Sequence, residues 1–386
     1  MPAFSAEAIA AIPLSLYLHW PWCVRKCPYC DFNSHAAPPG LDEEGYADAV
    51  LRDMDGWLGR TQGRPLASIF IGGGTPSLMS GRTVARLIEG AERRFGLAPG
   101  CEITLEANPG TVDEMRFAAF RDAGVNRLSI GVQSFSGERL RAIGRIHSAE
   151  QARSAVRSAA RIFDNFNLDL MFALPGETLE GVLADAAEAA ASGAAHLSFY
   201  QLTIEPGTAF AKREPEGLPD ADAAADMSDA VGRALEAAGF EHYEVSGYAR
   251  PGHRCRHNLN YWLFGDYLAA GAGAHGKLTE PSGIVRERRW AQPRLYIPAA
   301  LGGKGAEEVR RVEERDLPFE FMLNALRLRG GVPASLFEAR TGMKLGCIEP
   351  ILGRLREQGL LERDAERLCP TARGRAFLSD VQEAFL

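Results

Sequence analysis

The sequence predicts an α/β chain: an open, partial (β/α)6 barrel followed by a smaller C-terminal α+β domain of winged-helix-like type. Three observations carry this expectation. Between residues 15 and 201, short β-like runs alternate with longer Ala/Leu/Arg-rich runs, the pattern of a parallel sheet covered by helices. Turn chemistry falls just after several β-like runs, as Gly72-Gly73-Gly74, Asn108-Pro109-Gly110 and Leu174-Pro175-Gly176. Past about residue 310 the pattern changes to short helical runs and a small hairpin.

The elements follow in order. Strands are expected at 15–20, 66–71, 101–106, 127–132, 165–172 and 196–202, with helices at about 42–59, 80–95, 111–123, 148–162 and 178–192. Six units are too few for a closed eightfold barrel, so the barrel is open. The stretch 203–310 is less regular. A helix near 220–238 precedes a segment, 243–275, dense in Gly, His, Tyr and Trp. In the last segment, 319–328, 334–340 and 349–358 read as helices, and 360–363 with 367–370 as a hairpin. The expected organisation is a core at 1–205, a barrel extension at 206–310 and a C-terminal domain at 311–386.

Composition narrows the function classes. Apolar residues are 46% and charged residues 24%, so disordered and fibrous classes drop out. The net charge is −7, with arginine as the main cation and only five lysines, which gives no global pull towards nucleic acid or an anionic membrane. A winged-helix module invites a DNA-binding reading, but residues 311–386 hold 12 Arg+Lys against 12 Asp+Glu. A DNA reader of that size carries a basic face, so docking or packing is expected of it. The stretch 8–18 lacks a positive leader, Pro13 interrupts it, and no apolar run of about 18 residues occurs. A cytoplasmic protein without a membrane span is expected.

The strongest motif is Cys23-Val-Arg-Lys-Cys27-Pro-Tyr-Cys30, directly after the first strand. Three thiolates on one short loop can converge on one metal centre. A zinc knuckle completed by His19 or His35 is the plain alternative, yet structural zinc usually takes two close ligand pairs. Three ligands on a four-iron cluster leave one iron open for a cofactor. Gly72-Gly73-Gly74-Thr75-Pro76 follows the second strand, which ends Ile69-Phe70-Ile71, and its glycines let backbone approach a ligand closely. On the fifth strand Asn167 and Asp169 share one face, opposite Leu168 and Leu170, a polar pair suited to a ligand-facing interior.

On these motifs the chain resembles the radical S-adenosylmethionine superfamily. Within it the chain is similar to the oxygen-independent coproporphyrinogen III oxidase-like family, most of all to its haem chaperone branch, over essentially the whole chain. The resemblance implies a [4Fe-4S] cluster on Cys23, Cys27 and Cys30, with S-adenosylmethionine chelating the open iron. It implies that Gly73, Gly74 and Thr75 contact the methionyl end of that cofactor. It also places Tyr17, Glu106, Gln133, Arg145 and Asp169 around the cofactor, with Tyr29 between the last two cysteines.

Two departures separate the chain from the oxidase. A further cysteine stands two residues beyond the oxidase's third cluster ligand, where Asp31 and Phe32 follow Cys30 here. The oxidase also has a longer arm before its first strand. The segment His257-Asn258-Leu259-Asn260-Tyr261-Trp262 is the motif H-N-x-x-Y-W of the haem-binding branch. An imidazole beside two large rings suits a haem seat, which implies His257 as iron ligand, with Cys255 and His253 as alternatives. From the residues alone the same segment reads first as a loop anchored in the core by Tyr261 and Trp262 with His257 hydrogen-bonded, and the resemblance reverses that preference. The implied function is a haem chaperone serving apo-haemoprotein acceptors, possibly respiratory ones, with the electron donor unidentified; the alternative is coproporphyrinogen oxidation or other tetrapyrrole-directed radical chemistry.

Overall fold

The computed structural model describes residues 3–386. Six parallel strands form the centre: β1 (Leu14–Trp20), β2 (Leu66–Gly73), β3 (Leu97–Ala107), β4 (Arg127–Gln133), β5 (Phe166–Phe172) and β6 (His196–Gln201). Each crossover is a helix, as parallel pairing requires: α1 (Glu43–Met54), α2 (Gly81–Phe95), α3 (Glu114–Asp122), α4 (Ala149–Ile162) and α5 (Leu179–Ala191). Side-chain caps set the helix starts. Asp42, Ser80, Asp113, Ser148 and Thr178 each accept from a first-turn amide, and Ser148 and Gln151 complete a reciprocal capping box. The cap on Asp113 starts α3 later than expected, because Pro109–Thr111 first makes a 3₁₀ turn.

The period of two divides each strand between two environments. Ile69, Ile71, Ile103, Leu105, Leu128, Ile130, Leu168 and Leu170 are buried in the main core beneath the helices, each contributing about 1.5–3 kcal/mol. The other faces are polar and meet one another: Asn167 Nδ2 donates to Ser129 Oγ at 2.8 Å, and Asn167 Oδ1 lies 2.7 Å from His196 Nδ1. The barrel thus has an apolar shell and a polar lumen.

Segment 206–310 extends the same sheet at both ends. Beyond α6 (Ala221–Ala237), β7 (Glu241–His242) and β8 (Gly247–Ala249) continue past β6. On the other side β9 (Asp266–Ala270) pairs in parallel with β1, and β10 (His275–Glu280), β11 (Gly283–Arg289) and β12 (Ala306–Arg311) follow as an antiparallel meander. Among the described residues the sheet has twelve strands, in the order β12-β11-β10-β9-β1-β2-β3-β4-β5-β6-β8-β7, and stays open.

These late strands hid from the sequence because charge replaces apolar alternation in them. Asp266 is fully buried; it lies 2.9 Å from Arg64 Nη1 and 3.1 Å from Lys277 Nζ and accepts from Thr279 N. Between β8 and β9 lies α7 (Arg256–Trp262), the helix of the H-N-x-x-Y-W segment.

The C-terminal segment has α8 (Leu317–Ala325), α9 (Ser335–Thr341) and α10 (Glu349–Glu357) around a second core that includes Phe321, Phe337, Leu352 and Leu355. The expected hairpin is corrected in part. Leu361 and Pro370 form only a single bridge, and Arg367–Leu368 pairs instead with Val332–Pro333. Pro370 lacks the amide a longer hairpin needs.

Candidate functional site

The C-terminal ends of β1–β6 gather at one face, and the expected residues meet there. A cavity of about 470 Å³ is lined by Cys23, Cys27, Cys30, Tyr29, Gly73, Gly74, Thr75, Glu106, Gln133, Arg145 and Asp169. Tyr17 and His257 are not among its lining residues.

The cysteine loop hangs from β1 and is tied at its base. Trp22–Cys23 pairs with His35–Ala36, and Gly74 N and Thr75 N donate to Trp20 O and Trp22 O at 2.7 and 2.8 Å. The glycines make this closeness possible. A Cβ on Gly73, whose φ is +115°, would lie 2.6 Å from the His19 ring, and one on Gly74 would lie 2.6 Å from Trp22 O. Two of the loop's amides are therefore spent on holding the chain that leads into Cys23, a role beyond bare approach to a ligand. Burial raises the thiol pKa values of Cys23 and Cys30.

His19 does not complete a zinc knuckle: its ring nitrogens lie 2.8 Å from Tyr17 Oη and 2.8 Å from Asn33 O. Tyr17 accordingly stands behind the cavity as a brace for His19. Burial lowers His19 to about 4, so the ring is neutral.

Two enclosed carboxyls face each other across the lumen. Glu106 Oε2 accepts from Gly73 N at 2.9 Å, its sole donor among the described residues. Burial, then the Asp169 charge, push Glu106 up to about 8. Asp169 accepts from Ser129 Oγ at 2.7 Å and Asn167 Nδ2 at 2.8 Å, and burial raises it too. Arg145 Nη2 donates to Gly131 O at 2.8 Å, while Nη1 reaches Tyr29 Oη at 3.4 Å and Cys27 Sγ at 3.6 Å; Nε is buried without a partner. Gln133 sits at φ +67° where the β4–β5 register slips, a strained conformation of the kind found at ligand sites.

Sequence reasoning missed Ser129, Asn108, Tyr200 and Met171, which also line the cavity. Ser129 was accessible, since it shares a face with Gly131 and Gln133 by the period of two. Tyr200 lies where β6 leaves the sheet's alternation, and no local signal marks it.

His257 lies apart from this cavity, at the other end of the lumen, and is 4% exposed. Its Nδ1 is 2.9 Å from Glu102 Oε1, its ring stacks on Phe70 at 4.2 Å, and Cys255 Sγ lies 3.2 and 3.4 Å from its two nitrogens. The sulfur, near both nitrogens alike, stands over the ring face. Glu102 also accepts from Arg256 N and His257 N, and its carboxyl is held well below the usual range by His257 and Arg127. Trp262 packs against the C-terminal core, with the Arg327 guanidinium 4.2 Å from its ring centroid. The segment therefore closes the floor of the barrel and ties it to the C-terminal domain.

Residues 17–189 match the Radical SAM superfamily and 312–377 the HemN C-terminal domain. The chain is 48% identical over 376 residues to the protein named heme chaperone HemW of Escherichia coli (strain K12), covering 97% of this chain and 98% of that one. It is 34% identical over 381 residues to the HemW of Mycobacterium tuberculosis (strain ATCC 25618 / H37Rv), covering 97% and 95%. Against the mouse radical S-adenosyl methionine domain-containing protein 1, mitochondrial, identity is 37%, covering 84% and 75%. The solved coproporphyrinogen III oxidase (HemN) of Escherichia coli superposes with a TM-score of 0.82 at 22% identity, covering 98% of this chain and 92% of that one, which establishes a shared fold. By its matched domains and its near-full-length relatives, the chain belongs to the HemW heme-chaperone family of the radical SAM superfamily.

Proposed function

We propose that the chain is a cytoplasmic haem chaperone that carries a [4Fe-4S] cluster on Cys23, Cys27 and Cys30, takes S-adenosylmethionine beside it, and passes haem to apo-haemoproteins. The observation that carries the chaperone reading is 48% identity over nearly all of both chains to a protein of that name. The cluster and cofactor readings rest on the cavity. Three cysteines share one wall of it, and no fourth cysteine stands near them in the sequence, the donor set of a four-iron cluster with one open position. Glu106, enclosed with one donor, and Arg145, with an unpartnered Nε, suit the ammonium and carboxylate of an amino-acid-like cofactor. When bound, that cofactor supplies the radical chemistry.

The chain's own residues do the positioning. Gly74 and Thr75 hold the cysteine loop against β1, Glu106, gripped by the Gly73 amide, offers a carboxylate, and Asp169, fixed by Ser129 and Asn167, presents a second acceptor. In this reading the core 1–205 carries cluster and cofactor, 206–310 carries the haem motif, and 311–386 serves docking. No described helix is long and apolar enough to cross a membrane.

His257 is the proposed iron ligand; it is 4% exposed, with Nδ1 on Glu102 and its ring stacked on Phe70. Ligation therefore requires α7 to open, and the rate of the Soret change is expected to saturate with haem concentration. The test is an anaerobic haem titration beside an assay for coproporphyrinogen turnover. About one haem per chain is expected, with a Soret band that shifts or weakens in His257→Ala and holds in Cys255→Ala. Haem binding unchanged in His257→Ala, together with turnover of coproporphyrinogen, would overturn the chaperone reading in favour of the oxidase. The shared fold with HemN keeps that second reading in view.

A further inference from the structure

We infer that His196 and Tyr243 are positioning residues that tie the cofactor cavity to α7, so that a ligand held by Asp169 keeps the haem-motif helix closed. The inference rests on the cofactor and haem readings above and adds a physical link between the two sites. Neither residue is among those lining the cavity, so both act through the groups at the two ends of the link.

The link is a row of hydrogen bonds across the barrel lumen. At the cavity end Asn167 Nδ2 donates to Asp169 Oδ1 and to Ser129 Oγ, each at 2.8 Å. Asn167 Oδ1 lies 2.7 Å from His196 Nδ1 and accepts from Ser198 Oγ at 3.1 Å. His196 Nε2 lies 2.8 Å from Tyr243 Oη, which accepts from Cys255 N at 3.3 Å. Cys255 is the cap residue of α7, and its side chain bonds none of the first-turn amides. Asn167, His196, Tyr243 and Cys255 are all buried, where each such bond is stronger than in water.

Chemistry fixes the direction of every bond in the row. Asp169 and Ser129 take the two amide hydrogens of Asn167, so its Oδ1 accepts and His196 Nδ1 carries the proton. Burial, then the Arg127 charge, hold His196 well below its ordinary range, so the ring is neutral and Nε2 accepts. The single hydroxyl hydrogen of Tyr243 therefore points to His196, and its oxygen is left for the Cys255 amide. All donors run from α7 towards the Asp169 carboxylate, and no bond reverses without leaving a buried group unpaired. The helix is the element with two arrangements. Closed, it rests Cys255 N on Tyr243 and His257 on Glu102. Opening for haem withdraws that amide and frees the far end of the row. A ligand that fixes Asp169 in its present geometry thus binds the closed form better, and haem and that ligand weaken each other by the same factor.

The test uses the reconstituted full-length protein, anaerobic and without reductant, so that S-adenosylmethionine stays intact. Amide hydrogen exchange across 255–262 is read with and without that cofactor, and haem is titrated under both conditions. In the wild type, saturating cofactor should slow the exchange and weaken haem binding, each by about fivefold or more, the low end of ordinary coupling between sites. Tyr243→Phe removes one hydroxyl remote from the cavity. It should bind the cofactor with close to wild-type affinity, yet lose both the slowing and the mutual effect with haem. His196→Phe should lose them too; if that variant does not fold, Tyr243→Phe decides alone. A wild type whose cluster spectrum responds to the cofactor while exchange at 255–262 stays constant overturns this inference alone. Slowing that persists in Tyr243→Phe does the same. Slowed exchange with unchanged haem affinity would keep the link to α7 and overturn the seat of haem there. A cluster spectrum blind to the cofactor overturns the cofactor reading and this inference with it.

Discussion

Cofactor binding should release a proton, and Glu106 is the group that supplies it. Its carboxyl is enclosed, accepts one hydrogen bond, and faces Asp169, so it titrates at about 8 and not at 4.5. Tyr17 and Tyr261, two further groups that feel the Glu106 charge, are pushed further up and stay protonated. At pH 7 roughly nine carboxyls in ten then carry the proton. In the proposed seating a positively charged part of the cofactor pairs with the carboxylate and not with the acid, so binding would expel the Glu106 proton. Affinity therefore rises as pH rises towards 8, and levels off above it. One pH unit is worth about 1.4 kcal/mol on the steep limb, so binding at pH 6 should be about 100-fold weaker than on the plateau. Calorimetric titration of S-adenosylmethionine at pH 7, in two buffers of different ionisation heat, should count close to one proton released. Glu106→Gln should abolish the release and flatten the profile near its acid limb. A wild type with pH-independent affinity and no proton release would refute the assignment, as would a slope that survives in Glu106→Gln.

Other outcomes follow from the same geometry. Cys27→Ala should hold no four-iron cluster after anaerobic reconstitution, and a full iron content in that variant would remove the cluster assignment. Gly74→Ala should lower iron uptake as well as cofactor response, because its Cβ meets the rigid Trp22 carbonyl; iron analysis beside the cofactor titration reads both. Asp266→Asn leaves Arg64 and Lys277 buried without their counter-charge and should cost about 3–5 kcal/mol in urea unfolding. Asp266 titrates below the ordinary carboxylate range. Its contribution is thus present above about pH 4 and lost as pH falls through the lowered value, so acid unfolding of the wild type should converge on the variant's stability.

How much of this was legible depends on what each segment buries. The six parallel strands follow apolar runs such as Ile69-Phe70-Ile71 and turn signals such as Gly72-Gly73-Gly74, and both survive into the structure nearly residue for residue. Strands β9–β12 are stabilised by Asp266 against Arg64 and Lys277 and by Asp53 against Arg289. Buried ion pairs leave no periodic trace in a sequence. At the site, local spacing marked the cysteines and glycines, and period-two logic marked Asp169. What a lone His257 touches is decided by Glu102, 155 residues earlier on β3, and no local pattern carries that contact.

Strand β1 lies between two strands of very different age. On one side is β2, made within the next fifty or so residues; on the other is β9, which begins at Asp266. During synthesis at about 5–20 residues per second, roughly 12–50 s separate the appearance of Trp20 from that of Ala270. Throughout that interval the strand that carries the three cysteines has an unpaired edge, the kind of edge that recruits wrong partners. Asn33, just past the cysteines, waits equally long for the carbonyls of Ala272 and Ala291 that fasten it. The nascent chain thus displays its thiols on a half-anchored segment long before the clasp arrives. Iron delivered early would meet a loose triplet, and iron delivered after release a fixed one, so loading of the proposed cluster is expected at the end of folding.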